Sequence, residues 1–449
     1  VNHCIRWFPL LALFLAHAAS GAPVDSLRSH AAPVTPLLQP FSGDYTWMNG
    51  QNRMANPSIK LSENVVMTGY FDGYYNYSFN HPKDHTIVGS ACIGRDQEFE
   101  INLAGIGFNA VFGNVLATLE FQTGSQLNLI QDGDISFGHG RNFSATTLHN
   151  IREASAGYHF GNAGYGLNIE MGVFQAFTSL ESYLMQENWN YQRSFVADNV
   201  PAYLTGVRFQ YYPWLDLKTE LWIVNGWSTF GVVNNGLALG SSTTYRPTDA
   251  IGYILNLYLG RETKNQPGRE RFNLDASVLW RYFNKPKSNA VSMMALSING
   301  HAGFESGGKD LMSGAPLQSI DSAHFLGVAF ADRIWFDHNR FALTGRIDAM
   351  YNPSRYASIA PLPQGFIANY PGDPGYKELL WALTLTFDLM PSDNLTFRLE
   401  ATSRHADIPF FAGPEGTTSP DGWQGTTGAF LPDLKNVENR LSAALMFRF

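Results

Sequence analysis

From Val65 onward the chain repeats one unit, a run of roughly ten residues that alternate apolar and polar, followed by a break. Leu395-Thr396-Phe397-Arg398-Leu399-Glu400-Ala401-Thr402 alternates without exception. Over 272–282, Phe272, Leu274, Ala276, Val278, Trp280 and Tyr282 share one face, and the opposite face is polar except for Leu279. A period of two is the mark of a strand, because successive side chains point to opposite faces; a helix would space its apolar residues at three and four. Sixteen such segments are expected: 65–79, 97–109, 114–123, 150–161, 165–175, 202–211, 215–225, 237–245, 251–260, 271–283, 290–303, 323–332, 340–352, 377–389, 394–403 and 438–449. Their lengths suit tilted strands crossing a bilayer, which need about 9–11 residues.

The connections sort into two kinds. Those at 110–113, 162–164, 212–214, 246–250, 284–289, 333–339 and 390–393 are short, whereas those at 80–96, 124–149, 176–201, 226–236, 261–270, 304–322, 353–376 and 404–437 are longer. Short turns on one side and long loops on the other is the pattern of outer-membrane barrels, with the short side periplasmic. Aromatics such as Tyr75, Tyr77 and Phe79, or Trp280 and Tyr282, gather at strand ends, where a lipid–water boundary would lie. The expected fold is therefore all-β, a transmembrane antiparallel up-and-down barrel of about sixteen strands in the outer membrane of a Gram-negative bacterium, with outer-membrane lipids as its surroundings.

Residues 1–18 read as a signal peptide. Arg6 supplies the charge, Trp7 to Ala16 the apolar core, and Ala16-His17-Ala18 the cleavage site, with a second option after 22. Residues 23–63 hold five prolines and read as a periplasmic arm or a plug folded into the pore, ahead of a barrel over 64–449. A net charge of −8 argues against nucleic-acid binding, which needs a basic face. Cys4 falls in the leader and leaves Cys92 as a lone thiol, so neither a disulfide framework nor a zinc quartet is available.

Several segments resemble the β-barrel porins of the OmpL-like type. They include Gly69-Tyr70-Phe71-Asp72-Gly73-Tyr74-Tyr75-Asn76-Tyr77-Ser78-Phe79-Asn80 and Asn188-Trp189-Asn190-Tyr191-Gln192-Arg193-Ser194. Thr205-Gly206-Val207-Arg208, Val224-Asn225-Gly226-Trp227 and Tyr245-Arg246-Pro247-Thr248-Asp249 follow in the family's order. The likeness is specific over about 65–260 and looser beyond, and implies an outer-membrane porin without implying a solute. The alternating end at Phe447-Arg448-Phe449 also resembles the terminal signal read by barrel-assembly machinery.

Strand charges should turn inward, because a mid-bilayer Arg or Lys facing lipid costs roughly 2–4 kcal/mol. The expected pore lining is Glu98, Glu100, Asn102, Glu120, Glu170, Arg208, Lys218 and Glu220 in the first half. In the second half it is Asp275, Arg281, Arg346, Asp348, Asp388, Arg398, Glu400 and Arg440. Acids outnumber bases in the first set and balance them in the second, a mildly uneven lumen, although for any single residue an ordinary ion pair on the barrel wall is the favoured reading. The 176–201 loop, with Trp189, Tyr191 and Arg193, is the candidate constriction; a loop folded over the rim is the alternative.

Other motifs are weak. Gln131-Asp132-Gly133-Asp134 lacks the rest of a calcium loop, and Gly303, Gly308 and Lys309 have phosphate-loop spacing without the following Ser or Thr. Glu153, Ser155 and His159 share a strand face but fix no triad. The expectation is passive diffusion of small hydrophilic solutes or ions, with no catalytic residue, metal or cofactor, and with a homotrimer as one assembly. The alternatives are a structural or adhesive barrel with a blocked lumen, or an outer-membrane hydrolase.

Overall fold

In lipid every backbone N–H and C=O must find a partner within the protein, so a sheet crossing a bilayer has to close. The structure, a computed structural model, describes residues 41, 43–54, 59–308, 323–353 and 378–449. The leader, residues 23–40 and most of the loops at 304–322 and 353–376 lie outside the described residues.

Sixteen strands form the wall. They are β1 (Val65–Ser78), β2 (Phe99–Phe112), β3 (Val115–Thr123), β4 (Ile151–Phe160), β5 (Leu167–Gln175), β6 (Tyr203–Trp214), β7 (Leu217–Val224) and β8 (Ala238–Thr248). Then come β9 (Ile251–Gly260), β10 (Arg269–Asn284), β11 (Val291–Gly307), β12 (His324–Phe336), β13 (Phe341–Tyr351), β14 (Leu379–Ser392), β15 (Leu395–Ala406) and β16 (Val437–Arg448). Each pairs antiparallel with the next, and β16 pairs with β1, which closes the barrel. The seam is sealed at its end by Phe449, whose N–H and C=O both bond Gly69. Gly69 bears no side chain because the Phe449 ring lies where a Cβ would project.

Alternation in sequence becomes alternation in exposure. Along β14, Trp381, Leu383, Leu385 and Phe387 face outward, while Ala382, Thr384, Thr386 and Asp388 face the lumen and are buried. The strands match the sequence expectation closely, with three informative differences. Gln97 takes a left-handed φ of 57°, so the β2 ladder starts at Phe99 and Glu98 stays in the loop. β12 continues past 332 to Phe336, because Asp332 faces outward there and interrupts the apolar face without ending the strand. β15 likewise runs on to Ala406. The turn at Asp337-His338-Asn339 forms as expected, with all three residues at positive φ.

The first and last long loops are clasped together. Asp84 accepts the backbone N–H groups of Thr417 and Thr418 at 2.7 and 3.0 Å and the Thr418 hydroxyl at 2.8 Å. Lys83 pairs with Glu415 at 2.8 Å beside it. Burial opposes ionisation of Asp84, but these hydrogen bonds outweigh it and hold the carboxyl below its ordinary value. A carboxyl with a depressed folded pKa contributes stability above its unfolded value and loses it as pH falls through the folded one. The clasp is therefore expected to hold above about pH 4, the ordinary aspartate range, and to open in stronger acid. Pepsin cleavage within 413–433 should accelerate below that pH, and Asp84→Asn should show accelerated cleavage by a neutral protease at pH 7. Equal cleavage of wild type and variant would contradict the clasp.

Candidate functional site

The lumen is the only place where the inward charges of sixteen strands can converge, and its two sides differ. On the side formed by β10–β16 and β1, the wall is covered by the long loop between β5 and β6. This loop carries a short 3-10 turn at Met185–Glu187 and a helical turn, α1 (Phe195–Asp198). Nearly all of its residues from Tyr183 to Val200 are buried. Its backbone hangs on wall side chains. Glu400 accepts the N–H groups of Tyr191 and Gln192 at 2.6 and 2.7 Å. Asp348 accepts the N–H of Phe195 at 2.9 Å. Arg398 donates to the carbonyls of Met185 and Asn188, Arg346 to that of Gln192, and Arg333 to that of Trp189. Side chains add Asn190 to Thr386 at 2.7 Å, Tyr191 to Asp72 at 2.9 Å and Arg440 to Gln192 at 2.5 Å.

Most of the wall charges that hold the loop are themselves paired. Asp388 lies between Arg398 at 2.6 Å and Arg333 at 2.7 Å. Arg346 meets Asp348 at 2.9 Å and the loop's Glu181 at 3.0 Å. Arg404 and Arg440 share Glu438. Removed from water, such groups persist only when geometry and hydrogen bonds compensate their desolvation, and here the loop backbone supplies further partners to Arg333, Arg346, Arg398 and Asp348, while Arg404 donates to the carbonyls of Val88 and Gly89 in the first loop.

The arc from β3 to β7 is different. Three ion pairs climb it: Glu120 with Arg152, Glu170 with Arg208 at 2.6 Å, and Glu220 with Lys218 at 2.8 Å. The basic side chains keep 15–19% of their surface accessible, against 1–4% for Arg346, Arg398, Arg333 and Arg404 on the opposite side. Solvent thus touches the basic side chains of this arc and not those of the opposite one. Arg208 also packs against the rings of Phe174 and Trp222, 4.7 and 5.3 Å from their centroids. A hydrogen-bonded chain runs beside it from His159 through Asn168 and Gln210 to Glu220.

Of the residues singled out in the sequence, Arg208 and its neighbours Glu120, Glu170 and Glu220 fall on the solvated arc. Asp348, Arg346, Asp388, Arg398, Glu400 and Arg440 face the loop. Asp275 is buried against Asn256 and Asn299. Arg281 meets Asp44, and Glu100 stands opposite Tyr74 in the register of β1 and β2. Glu98 stands apart, bonded to Arg95 in the first loop. Trp189, Tyr191 and Arg193 are all buried inside the barrel. Phe447 faces outward at the seam.

Asp134 spends its oxygens on Ser136, Tyr203 and Phe230. Among the described residues no His, Cys, Asp and Glu cluster suits a metal. Lys309 lies outside the described residues. Sequence reasoning missed Arg333 and Arg404, because strands ended too early leave them in turns, and Glu438, the first residue of the expected last strand. It also missed Asp72, which sits inconspicuously within an aromatic run.

A family model described as "Putative beta-barrel porin-2, OmpL-like" matches residues 64–449. The chain belongs to this porin family. Solved barrels similar to this porin include the outer membrane channel DcaP of Acinetobacter baumannii, at 11% identity and a TM-score of 0.49, covering 87% of this chain and 99% of that one. The anion-selective porin from Comamonas acidovorans is similar at 9% identity and 0.47, covering 86% and 99%. Pseudomonas putida OprB is similar at 11% and 0.48, covering 86% and 94%. No curated protein matches the sequence.

The paired charges of the porin's loop-covered wall generate a direct test. Asp388→Ala leaves Arg333 and Arg398 buried without their shared counter-charge, and breaking such a pair costs about 3–5 kcal/mol. Urea unfolding of the refolded barrel should show a loss of that order. A change below about 1 kcal/mol, the scale of an exposed pair, would contradict the burial of this site.

Proposed function

We propose that small hydrophilic solutes and ions cross this porin passively along the solvated arc of β3–β7, with the β5–β6 loop as the facing wall. The observation that carries the reading is the contrast in exposure between the two sides: water reaches Arg152, Arg208 and Lys218 and is kept from the loop-covered wall. A sixteen-stranded barrel is wide enough for an aqueous channel, and a loop folded inward reduces its bore. The three ion pairs of the arc each join one acid to one base and Glu153 adds one further acid, so the path offers dipoles rather than a single-sign ring, which predicts weak ion preference. The terminal strand, ending at Phe447 and Phe449, is the segment we assign to recognition by the barrel-assembly machinery.

Assembly into a homotrimer fits one feature of the outer wall. Asp332 faces outward, bonded by the Tyr282 hydroxyl at 2.9 Å, at the edge of a groove that includes Gly345 and Ala401. Packing a second copy there would withdraw a carboxylate from lipid. Native mass spectrometry of the detergent-extracted protein should give three copies, and Asp332→Lys should give fewer; a monomeric wild type would end this assignment.

Planar-bilayer recording tests the channel itself. Stepwise conductance with a small reversal potential in a KCl gradient is expected. Arg208→Ala strips the base from Glu170 and should move the reversal potential toward cation preference. A correctly folded but silent barrel would overturn the reading in favour of a structural or adhesive one.

A further inference from the structure

The inner face of a solvated barrel should be polar, yet one patch of this lumen is not. Leu279, Ala295, Ala331, Trp335, Ala342 and Met390 face inward in the periplasmic half of β10–β14, and all are at least 95% buried. Left to water, such a patch would be unfavourable by about 25 cal/mol for each Å² of apolar surface. It is covered from two directions. Leu180 and Trp189 reach it from the β5–β6 loop, and Trp47 and Met48 reach it from the segment that precedes the barrel.

That preceding segment is bonded both to the wall and to the loop. The Trp47 indole donates to the carbonyl of Asp249 at 3.0 Å, in the turn between β8 and β9. The Arg281 guanidinium lies over its ring, 5.3 Å from the centroid. Arg53 donates to the carbonyls of Ser392 and Asp393, at 2.8 Å each, in the turn between β14 and β15. Toward the loop, the Trp189 indole donates to the Trp47 carbonyl at 3.0 Å and the Trp189 N–H to Asn49 Oδ1 at 2.9 Å. Gly50 N–H donates to the Glu187 carbonyl at 3.1 Å. The wall is shaped for this arrangement: Gly252 faces the lumen, and a Cβ there would collide with the Met48 methyl.

We infer that residues 43–54 are an internal strap that holds the β5–β6 loop from its periplasmic side, with Trp47 and Asn49 as positioning residues for the constriction. The wall charges fix the loop laterally through its backbone. The strap fixes the tip that carries Trp189, and it occupies lumen cross-section beside β9–β14 as well. Conductance and solute cut-off are then set by two segments, one from a loop and one from outside the barrel. The inference rests on the channel reading and adds to it a part of the chain that the barrel wall does not include.

The test uses the full chain in planar bilayers and in liposome-swelling assays with neutral sugars of graded size. Trp47→Ala loosens the strap directly. Gly252→Leu displaces it without altering the strap or the loop. Both are expected to raise unitary conductance, add open-channel flicker and admit larger sugars, and Trp47→Phe, which keeps a ring over the patch but loses the bond to Asp249, should show a smaller rise.

In the double variant Asn49→Cys, Ser297→Cys, whose parent side chains lie 3.5 Å apart, a disulfide should form, and reducing it should raise conductance. Conducting variants that match wild type in conductance and sugar cut-off, with heat-modifiable migration intact, would overturn the strap and leave the porin reading standing. If Trp47→Ala fails to fold, Gly252→Leu and the disulfide pair decide the matter: no change in the first and no cross-link in the second is the contrary result. Silence of wild type and variants alike would overturn strap and channel together.

Discussion

Glu400, on the lumen face of β15, accepts the backbone N–H groups of Tyr191 and Gln192 at 2.6 and 2.7 Å, and the arrangement of the lumen follows from this kind of contact. A loop buried inside a barrel has backbone groups that water no longer serves, and each must be satisfied. Strands that point their charges inward to avoid lipid supply the partners. Asp348, Arg346, Arg398 and Arg333 play the same part for Phe195, Gln192, Asn188 and Trp189. Two costs, charged side chains near a bilayer and a buried irregular backbone, thus offset each other.

The consequence is an asymmetric lumen. Where the loop lies against the wall, ion pairs such as Arg346–Asp348 and Arg398–Asp388 are dry and structural. Where it does not, Arg208–Glu170 and Lys218–Glu220 stay partly in water. These partly hydrated pairs present fixed dipoles to whatever passes, so the loop is held by one arc of the wall and permeation is served by another.

How much of this was legible in the sequence depends on the range of the interaction. The perfect alternation of Leu395–Thr402 assigned the inward face of β15, and Glu400 with it, since a two-residue period is a local property. Loop sorting gave the closed barrel for the same reason. Charges near strand ends were harder: Arg333 and Arg404 fall just past the places where apolar alternation fades. Leu279, the one apolar residue on an otherwise polar face, looked like an irregularity. It is part of the seat for Trp47 and Met48, more than two hundred residues earlier in the chain, and no local pattern announces a partner so distant. The aromatic cluster of Trp189 and Tyr191 marked the loop as unusual, whereas its partners, Asp72, Glu400 and Asn49, are set by closure of the barrel.

The central claim is that one arc of the inner wall is wet and the opposite arc is dry. Substituted-cysteine accessibility measures this most directly, because native Cys92 is itself buried. Ser155 lies half-buried on β4 and Thr344 fully buried on β13, both facing the lumen. In outer membranes, Ser155→Cys should react readily with a small charged maleimide and Thr344→Cys should resist it. Equal labelling of the two, or a reactive Thr344→Cys beside an inert Ser155→Cys, would contradict the account.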